Sequence, residues 1–183
     1  MTDDNKRDLS VSMMDANYYT VLLALPIILI LGAIFSSIWQ FETMIKGFLN
    51  LLTNPFLFLL GIIAGVFAHE YLHKLGWMVF GKTPSASIEF GFQLKTLSPY
   101  AHAIEPMEIN GYRWGAALPC IILGIIPALI GIFLGSTALL LFGMIFIFAA
   151  GGDLLILWIT RFLKPGTKIE DHPTRAGCYV LEE

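Results

Sequence analysis

Four long apolar blocks, at about 21–39, 55–80, 113–134 and 137–163, alternate with shorter polar segments along the chain. Each is near the ~20 residues that a hydrocarbon core of ~30 Å requires at ~1.5 Å per residue, so each predicts a transmembrane helix. The second block is delimited at both ends. Thr53 and Asn54 before Pro55 make a helix start, and Gly81 with Pro84 beyond it makes a stop. Only Gly135, Ser136 and Thr137 separate the third and fourth blocks, which predicts a tight antiparallel helix pair with Ser136 as an N-cap. The first block exceeds the roughly 7–15 apolar residues of a signal-peptide core and is read as a retained span.

Segment 82–112 is neither apolar enough to span nor biased enough to be disordered. Ile88, Phe90, Phe92 and Leu94 alternate with Glu89, Gly91, Gln93 and Lys95, the period of a strand with one apolar face. A second short strand is expected through 100–104, before Pro106. The predicted fold class is an all-α membrane protein: four transmembrane helices with a small β-hairpin-like insertion between helices 2 and 3. A polar tail at 164–183 follows, the whole of 1–183 forming a single integral membrane domain. The hairpin either covers a helix end or meets a substrate directly.

Composition strengthens the membrane reading. Of 183 residues 56% are hydrophobic and 14% charged, with a mean hydropathy of +0.73, a balance outside ordinary soluble domains. Charges gather at Asp3, Asp4, Lys6, Arg7 and Asp8, between Lys82 and Arg113, and after Arg161. A net charge of -3 with no basic run argues against nucleic acid as a partner. Cys120 and Cys178 form no paired framework, so no disulfide is expected. Lys6, Arg7, Lys82, Lys95, Arg113, Arg161, Lys164, Lys168 and Arg175 fall on one side of a four-span chain and only Lys46 on the other. Both termini and the insertion are therefore expected to be cytoplasmic.

Within the second block the chain reads His69-Glu70-Tyr71-Leu72-His73, the HExxH pattern. On a helix, positions i and i+4 share a face, so both imidazoles can reach one tetrahedral ion. Glu70, turned about 100° from His69, can hydrogen-bond a water there without being a ligand. Ionisable groups near the bilayer centre cost roughly 2.5–3.5 kcal/mol each on insertion scales, so three of them call for a compensating interaction. A metal is one; hydrogen bonds between helices or a proton relay are others.

A catalytic zinc takes three protein ligands. The HExxHxxGxxH extension fails, because position 79 is Val79. Asp153 is the only acidic residue of the fourth block, and it lies as far before Arg161 as His73 lies before Gly81. The two groups are thus expected about 12 Å deep and level with one another, at ~1.5 Å per residue. Asp153 alternatively bonds a hydroxyl or Arg113. Gly151 and Gly152, or Gly61 and Gly65, would allow the fourth and second helices to approach closely. Glu89, His102, Glu105, Glu108 and His172 are ligands by residue type but lie in polar segments, where a solvated role is expected.

An HExxH span followed two spans later by a GGD-type aspartate (Gly151, Gly152, Asp153) resembles the site-2 protease class of intramembrane metallopeptidases. The chain is most similar to a small bacterial family of zincin-like membrane peptidases. The likeness extends to Tyr112, Arg113, Leu118 and Pro119 and to the Asp171–Pro173 and Gly177 tail. The resemblance implies one Zn2+ ion held by His69, His73 and Asp153, with Glu70 as the catalytic carboxylate. It also implies a membrane protein or peptide substrate and a bacterial cytoplasmic membrane. Two other readings stay open: a non-catalytic metal-binding membrane module, and a proton or ion relay through His69, Glu70 and Asp153.

Overall fold

The computed structural model describes residues 6–93 and 98–182; Asp3, Asp4, Leu94 and Lys95 lie outside the described residues. The chain begins with β1 (Lys6–Val11), α1 (Met13–Trp39), α2 (Phe41–Thr53) and α3 (Phe56–Val79). Strands β2 (Ile88–Gln93), β3 (Ser98–Ala103) and β4 (Met107–Glu108) lead into α4 (Ile109–Pro119), a π-helical turn at Cys120–Ile125 and α5 (Ile126–Leu134). Helices α6 (Thr137–Ala149) and α7 (Gly151–Thr160) and strands β5 (Lys168–Asp171) and β6 (Ala176–Leu181) complete it.

Three helical stretches are long and apolar enough to cross a membrane: Met13–Trp39, Phe56–Val79 and the continuous Ile109–Leu134. The fourth expected span is broken, since α6 and α7 bend by 51°, so the spans number three, or four if the bent pair counts as one. Hydropathy runs unbroken through this point, but Gly151 and Gly152 each lower helix propensity by about 1 kcal/mol relative to alanine. Gly135 in the left-handed conformation ends α5, and the Ser136 side chain caps α6 by accepting from Leu139 N–H. The expected tight pairing of α5 and α6 follows from that turn. The start of α1 is set by Ser12, whose hydroxyl accepts from Asp15 N–H.

The insertion forms the expected antiparallel hairpin, β2 against β3, with Ile88 opposite Ala103 and Phe90 opposite Ala101. A second, four-stranded antiparallel sheet has the order β1-β6-β5-β4. It joins the polar N-terminal segment with the polar tail, in register from Lys6↔Leu181 to Val11↔Ala176. Both terminal segments therefore share one sheet. That sheet covers a small core of Trp77, Ile88, Met107, Ile109, Tyr112, Ile169 and Val180. A separate, wholly apolar core holds Leu31, Phe35, Ile132, Leu140 and Ile147 between the long helices. Large apolar side chains on the outer faces of α1, α3 and α5 are left exposed, as a lipid-facing surface requires.

Glycines set how closely the helices approach. A Cβ on Gly76 of α3 would lie 2.6 Å from Gly115 Cα of α4, a backbone-to-backbone contact with no give. Of the glycines singled out from sequence, Gly65 receives the Phe146 ring of the fourth block as expected, whereas Gly151 seats against Thr20 of α1 and not against α3. Nothing lies within 4 Å of a Cβ built on Gly152. Gly76→Ala is therefore expected to destabilise by about 1–3 kcal/mol through overpacking. Gly152→Ala should leave the melting temperature in detergent unchanged or raise it through better helix propensity. Equal losses in thermal melts of the two variants would contradict the close α3–α4 seam.

Candidate metal centre

The i, i+4 spacing on α3 puts His69 and His73 on one face, where their rings lie 4.9 Å apart. The break between α6 and α7 turns Asp153 towards them and makes it a first-turn residue of α7, where unpaired backbone N–H groups favour a carboxylate. Asp153 Oδ2 is 3.3 Å from His69 Nε2, and Oδ1 is 3.4 Å from His73 Nε2. The three side chains are 9–13% exposed. Among the described residues, this is the group of histidine, cysteine and carboxylate side chains able to hold a metal ion, with ligand atoms within 4.8 Å of one another.

These residues fit a small tetrahedral cation. Two ligands held about 2.0–2.1 Å from such an ion stand about 3.3–3.4 Å apart, close to the nitrogen–oxygen separations seen here. The hydrogen bonding of His73 points the same way. Its Nδ1 donates to the Gly115 carbonyl at 3.0 Å, so in the neutral imidazole the Nε2 lone pair faces the Asp153 carboxylate. Two electron-rich atoms facing each other out of water need a positive charge between them. His69 Nδ1 is buried with no hydrogen-bond partner among the described residues.

The Gly115 carbonyl is free for His73 because of Pro119. In an α-helix it would accept from the N–H four residues on, and proline has none. Gly115 also lacks a side chain that would collide with the Trp77 ring, 2.1 Å from a built Cβ. Trp77 stacks on His73 at 5.6 Å and on Tyr112 at 6.2 Å, so the ring that supports the second imidazole is itself held from its other side.

Glu70 is half-buried and lies near the Ala101 backbone N–H. In the hairpin, Ile104 N–H bonds Ser87 carbonyl, and the alternation of antiparallel pairs then points the Ala101 and Ala103 N–H groups away from β2. The first meets Glu70 and the second meets Asp171 Oδ2 at 3.4 Å. β3 therefore lies against the HExxH helix. Lys74, one turn beyond Glu70, places its ammonium over the Phe90 ring at 5.3 Å.

The alternative ligands have other partners. Glu105 accepts from Ser87, and Glu108 caps α4 through Asn110 and Gly111 N–H while also accepting from Gly166 N–H. Glu89 is exposed. His172 Nδ1 accepts from Thr174 and Arg175 N–H. Arg113 binds the Thr160 and Leu163 carbonyls at the end of α7 rather than Asp153. Sequence reasoning missed Asp171, which takes the Tyr112 hydroxyl at 2.7 Å and His102 Nδ1 at 2.8 Å and so ties β5 to α4 and the hairpin. Only its place in the Asp171–Pro173 tail pattern pointed to it.

A family model described as "Putative zincin peptidase" matches residues 62–167, more than half of the chain, including His69, Glu70, His73 and Asp153. No curated protein and no solved structure matches the chain.

Two predictions follow from this geometry. In metal quantification on purified protein, Asp153→Ala should lose the near-stoichiometric divalent ion of the wild type. Pro119→Ala, which restores an N–H competing for the Gly115 carbonyl, should weaken affinity about 10–100-fold, as loss of a ligand-orienting contact does. Unchanged affinity in Asp153→Ala would remove it as a ligand. Separately, the adjacent Asp171 carboxylate, with Glu89 and Glu170 nearby, raises the His102 pKa above its ordinary value. A raised folded-state pKa stabilises fully below the unfolded value of about 6.5 and is lost as pH rises through the folded one. The stability gap between wild type and His102→Gln in thermal melts should thus be widest near pH 6 and close at alkaline pH.

Proposed function

The chain belongs to this family of zincin peptidases, and from that premise we propose that it is an intramembrane zinc metallopeptidase of the site-2 protease kind. Its substrates are membrane-embedded or membrane-proximal polypeptides. The carrying observation is the convergence of His69, His73 and Asp153 from two helices beside Glu70, at the junction of the apolar core and the sheet-covered core. When bound, zinc supplies Lewis acidity that polarises a scissile carbonyl and acidifies water. His69 and His73 would hold it through the Nε2 atoms that face Asp153, whose carboxylate would supply the negative charge.

Glu70 removes a proton from the attacking water and returns it to the leaving amine. It follows His69 directly, so the same helical turn that fixes a ligand fixes the base. A membrane-spanning substrate has its backbone bonds satisfied internally and must unwind before its carbonyl can approach. An exposed sheet edge can hold such a segment extended, and β2, which pairs only with β3 among the described residues, is the candidate strand for that pairing. The sheet side carries most of the lysines and arginines, which supports a cytoplasmic position for both termini.

Glu70→Gln is expected to retain zinc while losing about 10²–10⁴-fold in peptide hydrolysis, measured on a membrane-reconstituted substrate alongside metal content. Full hydrolysis by that variant would sink the mechanism. Zinc binding without cleavage of any tested membrane polypeptide by the wild type would favour the non-catalytic module.

A further inference from the structure

The geometry of α2 points to a second membrane contact, independent of the peptidase reading. We propose that α2 is an interfacial helix, lying flat on the phospholipid bilayer at the surface opposite the four-stranded sheet.

The placement follows from connectivity. β1 belongs to the sheet and leads directly into α1, and α3 returns to the sheet-covered core through Trp77. The link from the end of α1 to the start of α3 therefore runs at the remote membrane surface. At 13 residues α2 is too short to cross a hydrocarbon core, which takes about 20. Trp39, immediately before it, is partly exposed and donates its indole N–H to the Ile132 carbonyl at 2.7 Å, an arrangement suited to the interface.

The surface of α2 divides into three stripes, each about a third of a turn from the next at 100° per residue. Met44, Gly47 and Leu51 are half-buried against the body of the protein. Gly47 is in such close contact that a Cβ there would lie 2.3 Å from Thr137 Oγ1, while Met44 packs on the apolar core. Phe41, Ile45, Phe48 and Leu52 form the second stripe, all exposed. Glu42, Lys46 and Asn50 form the third.

Lys46 and Asn50 border an open hollow of about 450 Å³ lined also by Gly135, Ser136 and Thr137, whose polar side chains and backbone favour water over hydrocarbon above this stripe. A helix facing water throughout would leave the second stripe uncovered, and one sunk in hydrocarbon would bury the third. Lipid on one side and water on the other satisfies both. Ile34 and Ile38 near the end of α1 and Phe56 and Leu57 at the start of α3 are exposed as well, so large apolar side chains flank α2 in the chain on both sides. Glu42 and Lys46 pair at 2.8 Å, so docking rests on apolar contact and not on anionic headgroups.

The test is a spin-label scan of the full chain in phosphatidylcholine vesicles, with one cysteine added at a time at positions 42, 46, 48, 50 and 52. The native Cys120 and Cys178 are buried free thiols, and wild type carried through labelling reports any background. Phe48→Cys and Leu52→Cys should show an oxygen-to-nickel-complex collision ratio several-fold above that of Glu42→Cys, Lys46→Cys and Asn50→Cys. The ratios should not change on adding anionic lipid or salt. Nickel-complex access at all five positions would overturn the proposal. So would exclusion of both reagents at 48 and 52 with spin–spin broadening, the sign of a second copy covering that face. Ile45→Cys repeats the apolar reading should a label at 48 or 52 prevent folding.

Discussion

The arrangement depends on one unfavourable encounter being made favourable: two imidazole nitrogens and a carboxylate held within hydrogen-bonding distance below the surface of a lipid-facing bundle. Apolar burial cannot supply that, because each ionisable group loses hydration on entering. The proposed cation reverses the sign of the interaction and turns three liabilities into one ligand set. Much of the neighbouring structure is understandable as holding those groups in place before the ion arrives.

Three local departures from regular helix do this work. Pro119 deletes one helical hydrogen bond and releases the Gly115 carbonyl to orient His73. The bend of 51° after α6 interrupts what would otherwise be a plain apolar span and starts α7 just ahead of Asp153. Gly76 and Gly115 then remove the side chains that would hold α3 away from α4. Each costs helix propensity locally, and each sets the position of a group in the site.

What could be read from the sequence was what has a short-range signature. HExxH announces itself because ligand spacing and helical period coincide, and Asp153 because a lone acid in an apolar run has few uses. The hairpin was visible through its period of two. The break at Ala150 was not, because hydropathy is insensitive to direction. The sheet joining residues 6–11 to 176–181 was hidden by its separation in sequence, since nothing local specifies a partner so far away. Helix α2 escaped because only about half its surface is apolar and it is too short to span, which made it read as a connection. Gly65 does face the fourth block, but the seating of Gly151 on Thr20 of α1 is not legible, because a gap in a side-chain row does not say which neighbour fills it.

The two membrane surfaces then carry different kinds of structure, and the site belongs to only one of them. On the sheet side, Asp171 fastens β5, Tyr112 of α4 and the hairpin together through hydrogen bonds of 2.7 and 2.8 Å. Tyr112 in turn stacks on Trp77, and Trp77 on His73. A continuous chain of contacts thus runs from the tail sheet to a candidate ligand, while Ala101 and Ala103 connect the same hairpin to Glu70 and Asp171. Because the His73–Trp77–Tyr112 brace and the Glu70–Ala101 contact meet at Asp171, displacement of the tail would disturb ligand and base together. The segment after α7 is therefore part of the site's framework, although it contributes no atom to the metal group itself.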